Sequence, residues 1–143
     1  MAIGFQVTYD AADPGKLAEF WALALGYQVQ PPPPGFDSWE AFAESAGIPR
    51  ERWGDFSAVV DPDGNGPRLF FHRVPEGKTA KNRVHLDVNA SAPEPHTEQG
   101  WERVLAHVRR LTEAGATMVG EVNEPAGRCM VMRDPEGNEF CVQ

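Results

Sequence analysis

The segment Val84-His85-Leu86-Asp87-Val88 alternates apolar and polar residues, the pattern of a strand with one buried face. Such a strand carries His85 and Asp87 on the same side. A histidine there can act as acid, base or metal ligand, and Asp87 can hold a proton or a ligand amine. The plain alternatives are a packed histidine and a solvated aspartate. Cys141 offers a thiol, with no base beside it in sequence, although His72 or His85 could approach it in space. A buried cysteine is otherwise inert filler, and Cys129 reads the same way. Hairpin counting keeps Cys129 away from the position opposite Cys141, so no disulfide is expected. His96, in a Pro-rich loop, and His107, off its helix stripe near Arg103 and Arg110, read as surface residues. Lys78, Lys81 and Arg83 form a small basic cluster that either meets an anionic group or is a solvated connector.

These residues need elements to hold them. Residues 5–9 alternate as a strand, and Asp13-Pro14 then caps and opens a helix whose stripe is Leu17, Phe20, Trp21, Ala24 and Leu25. Gly26 closes it, and 27–29 begin a strand. Pro31 to Pro34 is a stiff segment leading to a short helix over Asp37–Ala46. Strands follow at Phe56–Val60 and Leu69–Val74, around the turn Asp61-Pro62-Asp63-Gly64-Asn65. After the strand at 84–88, a helix over 98–114 carries Trp101, Val104, Leu105, Val108 and Leu111. Strands at 117–122, 129–133 and 139–142 complete the chain, the last two around Asp134-Pro135-Glu136-Gly137-Asn138.

The length of 143 residues suits one domain, or two half-domains sharing a core. A net charge of −8 excludes the basic footprint of a nucleic-acid binder and argues against docking on anionic lipid. No apolar run is long enough for a bilayer, and residues 1–10 lack a basic start and apolar centre, so a cytosolic location is expected. Two cysteines are too few for a disulfide scaffold. Fourteen glycines and 13 prolines imply many turns and favour a strand-rich fold over a helical bundle.

Both halves run strand, helix, strand, strand, strand, and both carry Asp-Pro-acid-Gly-Asn in their final hairpin. Superposing the halves sets Gln6 on His85 and Phe70 on Cys141. Val7, Tyr9, Leu86 and Val88 should face a helix, leaving Gln6, Thr8, His85 and Asp87 on the opposite face. Two such half-sheets can curve around a shared pocket. The segment 31–56 interrupts the first half with Phe36, Trp39, Phe42, Trp53 and Phe56. It is either a lid over a flat or apolar ligand or a satellite core or dimer contact.

The doubled βαβββ order, the Asp-Pro helix ending in Leu25-Gly26, the run Asn82–Asp87 and the run Asp134–Cys141 resemble the vicinal oxygen chelate superfamily, in its glyoxalase-like branch. That superfamily includes glyoxalase I, extradiol dioxygenases, fosfomycin-resistance transferases and bleomycin-binding proteins. The resemblance implies an α+β fold: two tandem βαβββ modules in a curved mixed sheet around a shared cup, with helices outside. It implies one domain over 1–143, with modules at 1–75 and 82–143 and the insertion 31–56 in the first. It also implies a homodimer.

Family metal ligands come from the first and last strand of each half, matching Gln6, His85, Phe70 and Cys141 here. Phe70 cannot coordinate, and Cys141 is a soft donor where the family usually has glutamate. His72 and Glu139, two residues along their strands, are conceivable replacements that would join Gln6 and His85. Glyoxalase I and fosfomycin-transferase chemistry fit poorly, since both need the missing glutamates. The expected function is therefore small-molecule binding with a degenerate metal site and no cofactor. Gln6, Thr8, Trp39, Trp53, Phe56, Phe70, His72 and Cys141 would contact an apolar or aromatic ligand in the cup. The alternative is a lyase, isomerase or dioxygenase holding zinc, nickel, manganese or iron on Gln6, His85, Glu139 and His72, or a metal-free enzyme using His85 or Asp87 as base.

Overall fold

In the computed structural model, which describes residues 1–143, the chain forms two units, Met1–Gly77 and Lys78–Gln143. The first contains β1 (Val7–Ala11), α1 (Pro14–Leu25), β2 (Gln28–Val29), α2 (Trp39–Ser45), a short 3-10 helix (Arg50–Arg52), β3 (Phe56–Val60) and β4 (Leu69–Arg73). The second contains β5 (Asp87–Val88), α3 (Glu98–Glu113), β6 (Thr117–Glu124), β7 (Gly127–Arg133) and β8 (Glu139–Val142). Each unit has one four-stranded mixed sheet. The orders β1-β4-β3-β2 and β5-β8-β7-β6 are the same topology, with the first strand parallel to the last. The fold is thus α+β and built from two tandem βαβββ modules.

Local chemistry sets the helix ends. The Asp13 carboxylate accepts from the Lys16 N–H at 3.2 Å, Pro14 occupies the first turn of α1, and Gly26 closes it at φ 69°. Ser38 caps α2 by accepting from Ala41 N–H, and Thr97 caps α3 by accepting from Gly100 N–H, each at 3.0 Å. In the first unit α1 packs on β3 and β4. Leu17, Trp21, Val59, Leu69 and Phe71 are fully buried there, and Tyr9 stacks on Phe71 with ring centroids 5.4 Å apart. In the second unit α3 meets β6 and β8 around Trp101, Val104, Leu111, Met132, Phe140 and Val142.

The repeated turns have one design. Asp61 accepts from the N–H groups of Asp63, Asn65 and Gly66, at 2.9 to 3.0 Å. Asp134 accepts from the N–H groups of Glu136 and Asn138 and from the Asn138 amide. Gly64 and Gly137 take φ 72° and 87° at matching places, a conformation that side chains resist. The carboxylates are consumed by the turns themselves.

Several expectations need correction. β1 begins at Val7 rather than residue 5, because its ladder with β4 starts at Val7↔Leu69 and Phe5 stands exposed. The strand anticipated over 84–88 contracts to Asp87–Val88, since only those residues pair with β8 and Val84 is exposed, so His85 lies just outside a strand. His107 is buried rather than on the surface, its Nδ1 lying 3.2 Å from Arg110. The amphipathic stripe of α3 is simply wider than its aliphatic residues indicate. No helix is long and apolar enough to cross a membrane.

Candidate functional site

Strand alternation gives the first sheet two faces. Val59, Leu69 and Phe71 point to α1, so Phe56, Ala58, Phe70 and His72 point the other way. Over that second face lies the insertion. α2 supplies Trp39, Phe42 and Ala43, and the following turn supplies Ile48, Arg52 and Trp53, enclosing a cavity of about 250 Å³ floored by Phe56, Ala58 and Phe70. Backbone carbonyls anchor the two indoles. Trp39 Nε1 donates to the Gln30 carbonyl at 2.7 Å, and Trp53 Nε1 donates to the Ile48 carbonyl at 2.8 Å. Phe36, Trp39 and Phe42 meet edge to face, with centroids 5.3 to 5.7 Å apart, so the insertion has its own aromatic cluster. Phe56 stacks between Phe70 (5.7 Å) and His72 (5.1 Å).

Arg68 stands at one side of this cavity. Its Nε donates to Gln30 Oε1 at 2.7 Å and its Nη1 to Gln6 Oε1 at 3.1 Å. Its guanidinium carbon lies 5.0 Å from the centre of the Phe70 ring. Arg52, also at the cavity, is paired with Asp55 at 3.1 Å.

The second unit presents different chemistry on its equivalent face. Asp87 is in register with Cys141, as Thr8 is with Phe70, which supports the superposition of the two halves. His85 Nε2 lies 3.3 Å from Asp87 Oδ1. Donor atoms of His85, Asp87 and Cys141 all fall within 4.8 Å of one another. Burial, then the neighbouring Cys129 thiol and the Asp87 carboxylate, push the Cys141 thiol up to about 12. Cys141 is therefore protonated at neutral pH and unsuited to nucleophilic attack. Both cysteines are free thiols. Cys141 pairs across the hairpin with Val131, two residues from Cys129, and this diagonal brings the two sulfurs together. An imidazole, a carboxylate and a thiol suit zinc better than an oxygen-seeking ion such as manganese, so the residues present fit a divalent metal of that kind.

The residues expected from sequence are distributed accordingly. Trp39, Trp53, Phe56 and Phe70 line the first unit's cavity; Gln6 touches it through Arg68, and Thr8 sits beside Phe70 in the ladder. His72 is stacked on Phe56 in the first unit. Glu139 is engaged elsewhere: it pairs with Lys78 at 3.4 Å and accepts from Asn82 N–H at 3.1 Å. Its own N–H, then Asn82 and Lys78, hold its carboxyl at about 2 against the cost of desolvation. The cluster around His85 thus holds Asp87 and Cys141 rather than Glu139. Lys78, expected to meet an anionic group or solvent, is taken up by Glu139. Arg68 and Gln30 were not anticipated. Arg68 precedes Phe70 by two residues and so shares its face, and that periodicity was the available signal.

Residues 6–143 match the family model of the glyoxalase-like domain. With nearly the whole chain matched, the protein belongs to the glyoxalase-like domain family, within the vicinal oxygen chelate superfamily. Solved structures share the fold at low identity. A glyoxalase/bleomycin resistance protein/dioxygenase family enzyme from Burkholderia phytofirmans is 18% identical, with TM-score 0.60 over 96% of this chain and 94% of that one. The bleomycin-binding protein of Streptomyces verticillus, complexed with copper(II)-bleomycin, is 20% identical, with TM-score 0.54 over 100% and 96%. A fosfomycin resistance protein from Mesorhizobium loti is 10% identical, with TM-score 0.61 over 100% and 92%. No curated protein matches the sequence significantly.

Proposed function

We propose that this protein binds a flat, apolar or aromatic small molecule in the cavity of its first module, with the insertion 31–56 as the cover. The observation that carries this reading is the cavity itself, floored by Phe56 and Phe70 and walled by Trp39 and Trp53. Aromatic walls recognise flat ligands through stacking as well as through burial of apolar area. A cavity of about 150 Å³ holds benzene, so about 250 Å³ suits one substituted ring or two fused rings. The same reading takes residues 1–143 as one functional domain in a cytosolic homodimer, which sedimentation and cell fractionation test. Titration calorimetry with 2-naphthamide on the full chain tests the cavity. Stoichiometric binding that weakens about ten-fold in Phe70→Ala and in Trp53→Ala is the expected result. No heat of binding from 2-naphthamide or from other two-ring aromatics overturns the reading.

A second reading, a metal-dependent enzyme, is favoured by the donors of His85, Asp87 and Cys141 within 4.8 Å of one another. Those three residues would hold zinc, with the Cys129 thiol beside them. A bound zinc ion would act as a Lewis acid on a substrate oxygen. The chain's own part would be to hold the His85 and Asp87 donors together, with Nε2 and Oδ1 3.3 Å apart. Elemental analysis after zinc loading and desalting checks it. One zinc per chain that is lost in His85→Ala and in Cys141→Val supports this reading, and substoichiometric zinc at every pH removes it.

A further inference from the structure

We infer that the ligand of the first module's cavity carries an anionic group, a carboxylate on the aromatic frame, received by Arg68. This deepens the cavity reading above and rests on it. Five charged-group facts bear on the choice. Arg68 is part-buried, lines the cavity, and enters none of the molecule's ion pairs. Its two protein partners, Gln6 and Gln30, are neutral amides that bind Nε and one Nη1 hydrogen. The second Nη1 hydrogen and both Nη2 hydrogens have no partner in the protein. Arg52, the other cation of the wall, already has a carboxylate partner in Asp55, which also lies 3.9 Å from Arg73. Glu40, the one carboxylate of the wall, is exposed and makes no ion pair with Arg68.

An arginine held by amides rather than by carboxylates keeps its full charge and its planar fork. The two glutamines fix the guanidinium plane through contacts 62 and 38 residues apart in sequence, and Phe70 lies against it. Such a group is oriented before any ligand arrives. It matches a carboxylate through two parallel hydrogen bonds, each stronger than a neutral one. Gln30 links this receptor to the cover, because its carbonyl accepts the Trp39 indole N–H. The ring floor of Phe56 and Phe70 would take the apolar frame while Arg68 takes the charge. In a chain of net charge −8, this is a local positive site set against a repulsive background.

The test compares 2-naphthoate with 2-naphthamide, which have the same shape and differ in charge, by calorimetry on the full chain. The expected result is a preference of about ten-fold or more for 2-naphthoate that disappears in Arg68→Met and is reduced in Arg68→Lys. Raising the salt concentration should weaken 2-naphthoate and leave 2-naphthamide unchanged, which requires no variant at all. Equal binding of the two probes overturns the inference and leaves the aromatic cavity standing. A preference that survives in Arg68→Met overturns the assignment to Arg68. If neither probe binds, the cavity reading fails, and the inference fails with it.

Discussion

Each module has an arginine that both lies over an aromatic ring and lines a hollow, Arg68 in the first and Arg128 in the second, yet these two are in opposite states. In the second module Arg128 lies 3.9 Å from the centre of the Trp101 ring, lines a hollow of about 630 Å³, and is bound by Glu121 at 2.7 Å and Glu98 at 3.9 Å. In the first module Arg68 lies over Phe70 with only amides as partners. Arg128 has its charge satisfied within the protein and acts as a brace between β7 and its surroundings. Arg68 is held in orientation and left charged. The difference teaches that an arginine over a ring is not informative by itself. What decides is whether its remaining hydrogen-bond donors face carboxylates or an open cavity.

The largest expected effect separates the two faces of the first sheet. Phe71→Ala empties a fully buried site against α1 and should lower stability by about 3–5 kcal/mol in a denaturant melt. Phe70→Ala, one residue earlier, should cost far less stability and instead weaken binding of two-ring aromatics about ten-fold. Equal stability losses would break the division between a core face and a ligand face. Next is Gly100→Ala in the second module. A Cβ there would stand 2.2 Å from the Glu94 carbonyl oxygen and 3.2 Å from Ser91 Cβ, so backbone must move. A loss of about 1–3 kcal/mol is expected, with zinc stoichiometry unchanged.

A smaller pair of effects tests the arginines directly. Arg128→Met should cost up to about 1 kcal/mol, since the pair with Glu121 is partly exposed and screened, and should leave 2-naphthoate affinity alone. Arg68→Met should show the reverse, with stability held and the carboxylate preference lost. If both variants change stability and neither changes binding, the two arginines are equivalent and the comparison collapses.

The smallest effect concerns the repeated turns. The N–H groups of Asp63, then Gly66 and Asn65, hold the Asp61 carboxyl below its ordinary value. A depressed folded pKa adds stability that is present above the unfolded value of about 3.9 and is lost as pH falls through the folded one. Asp61→Asn should therefore lower the melting temperature slightly at pH 7, and the gap should close as acid protonates the wild-type carboxylate. A gap that persists unchanged down to about pH 2 would mean that turn geometry alone, not charge, is responsible.

Local signals made much of the fold legible. Asp13-Pro14 and Gly26 mark both ends of α1 because capping acts within a few residues. The β3 and β8 ranges are short apolar runs bounded by turn residues, and β8 also alternates in burial. The extent of the strand near His85 was not legible, since the ladder partner decides where a strand stops and a local pattern cannot show that. Of the candidate site, the aromatic cover was readable as an unusual cluster over 31–56, whereas Arg68 had no distinguishing local feature.

By itself, then, the sequence determined the doubled βαβββ order, the helix caps and the paired Asp turns, all of which depend on neighbours a few residues away. Only the tertiary structure decided that Gln6 and Gln30 grip Arg68, that Lys78 pairs with Glu139, and that Cys129 meets Cys141 on a diagonal. Those contacts join distant parts of the chain, and their register is set by packing of the whole sheet against its helix, which no short stretch of residues encodes.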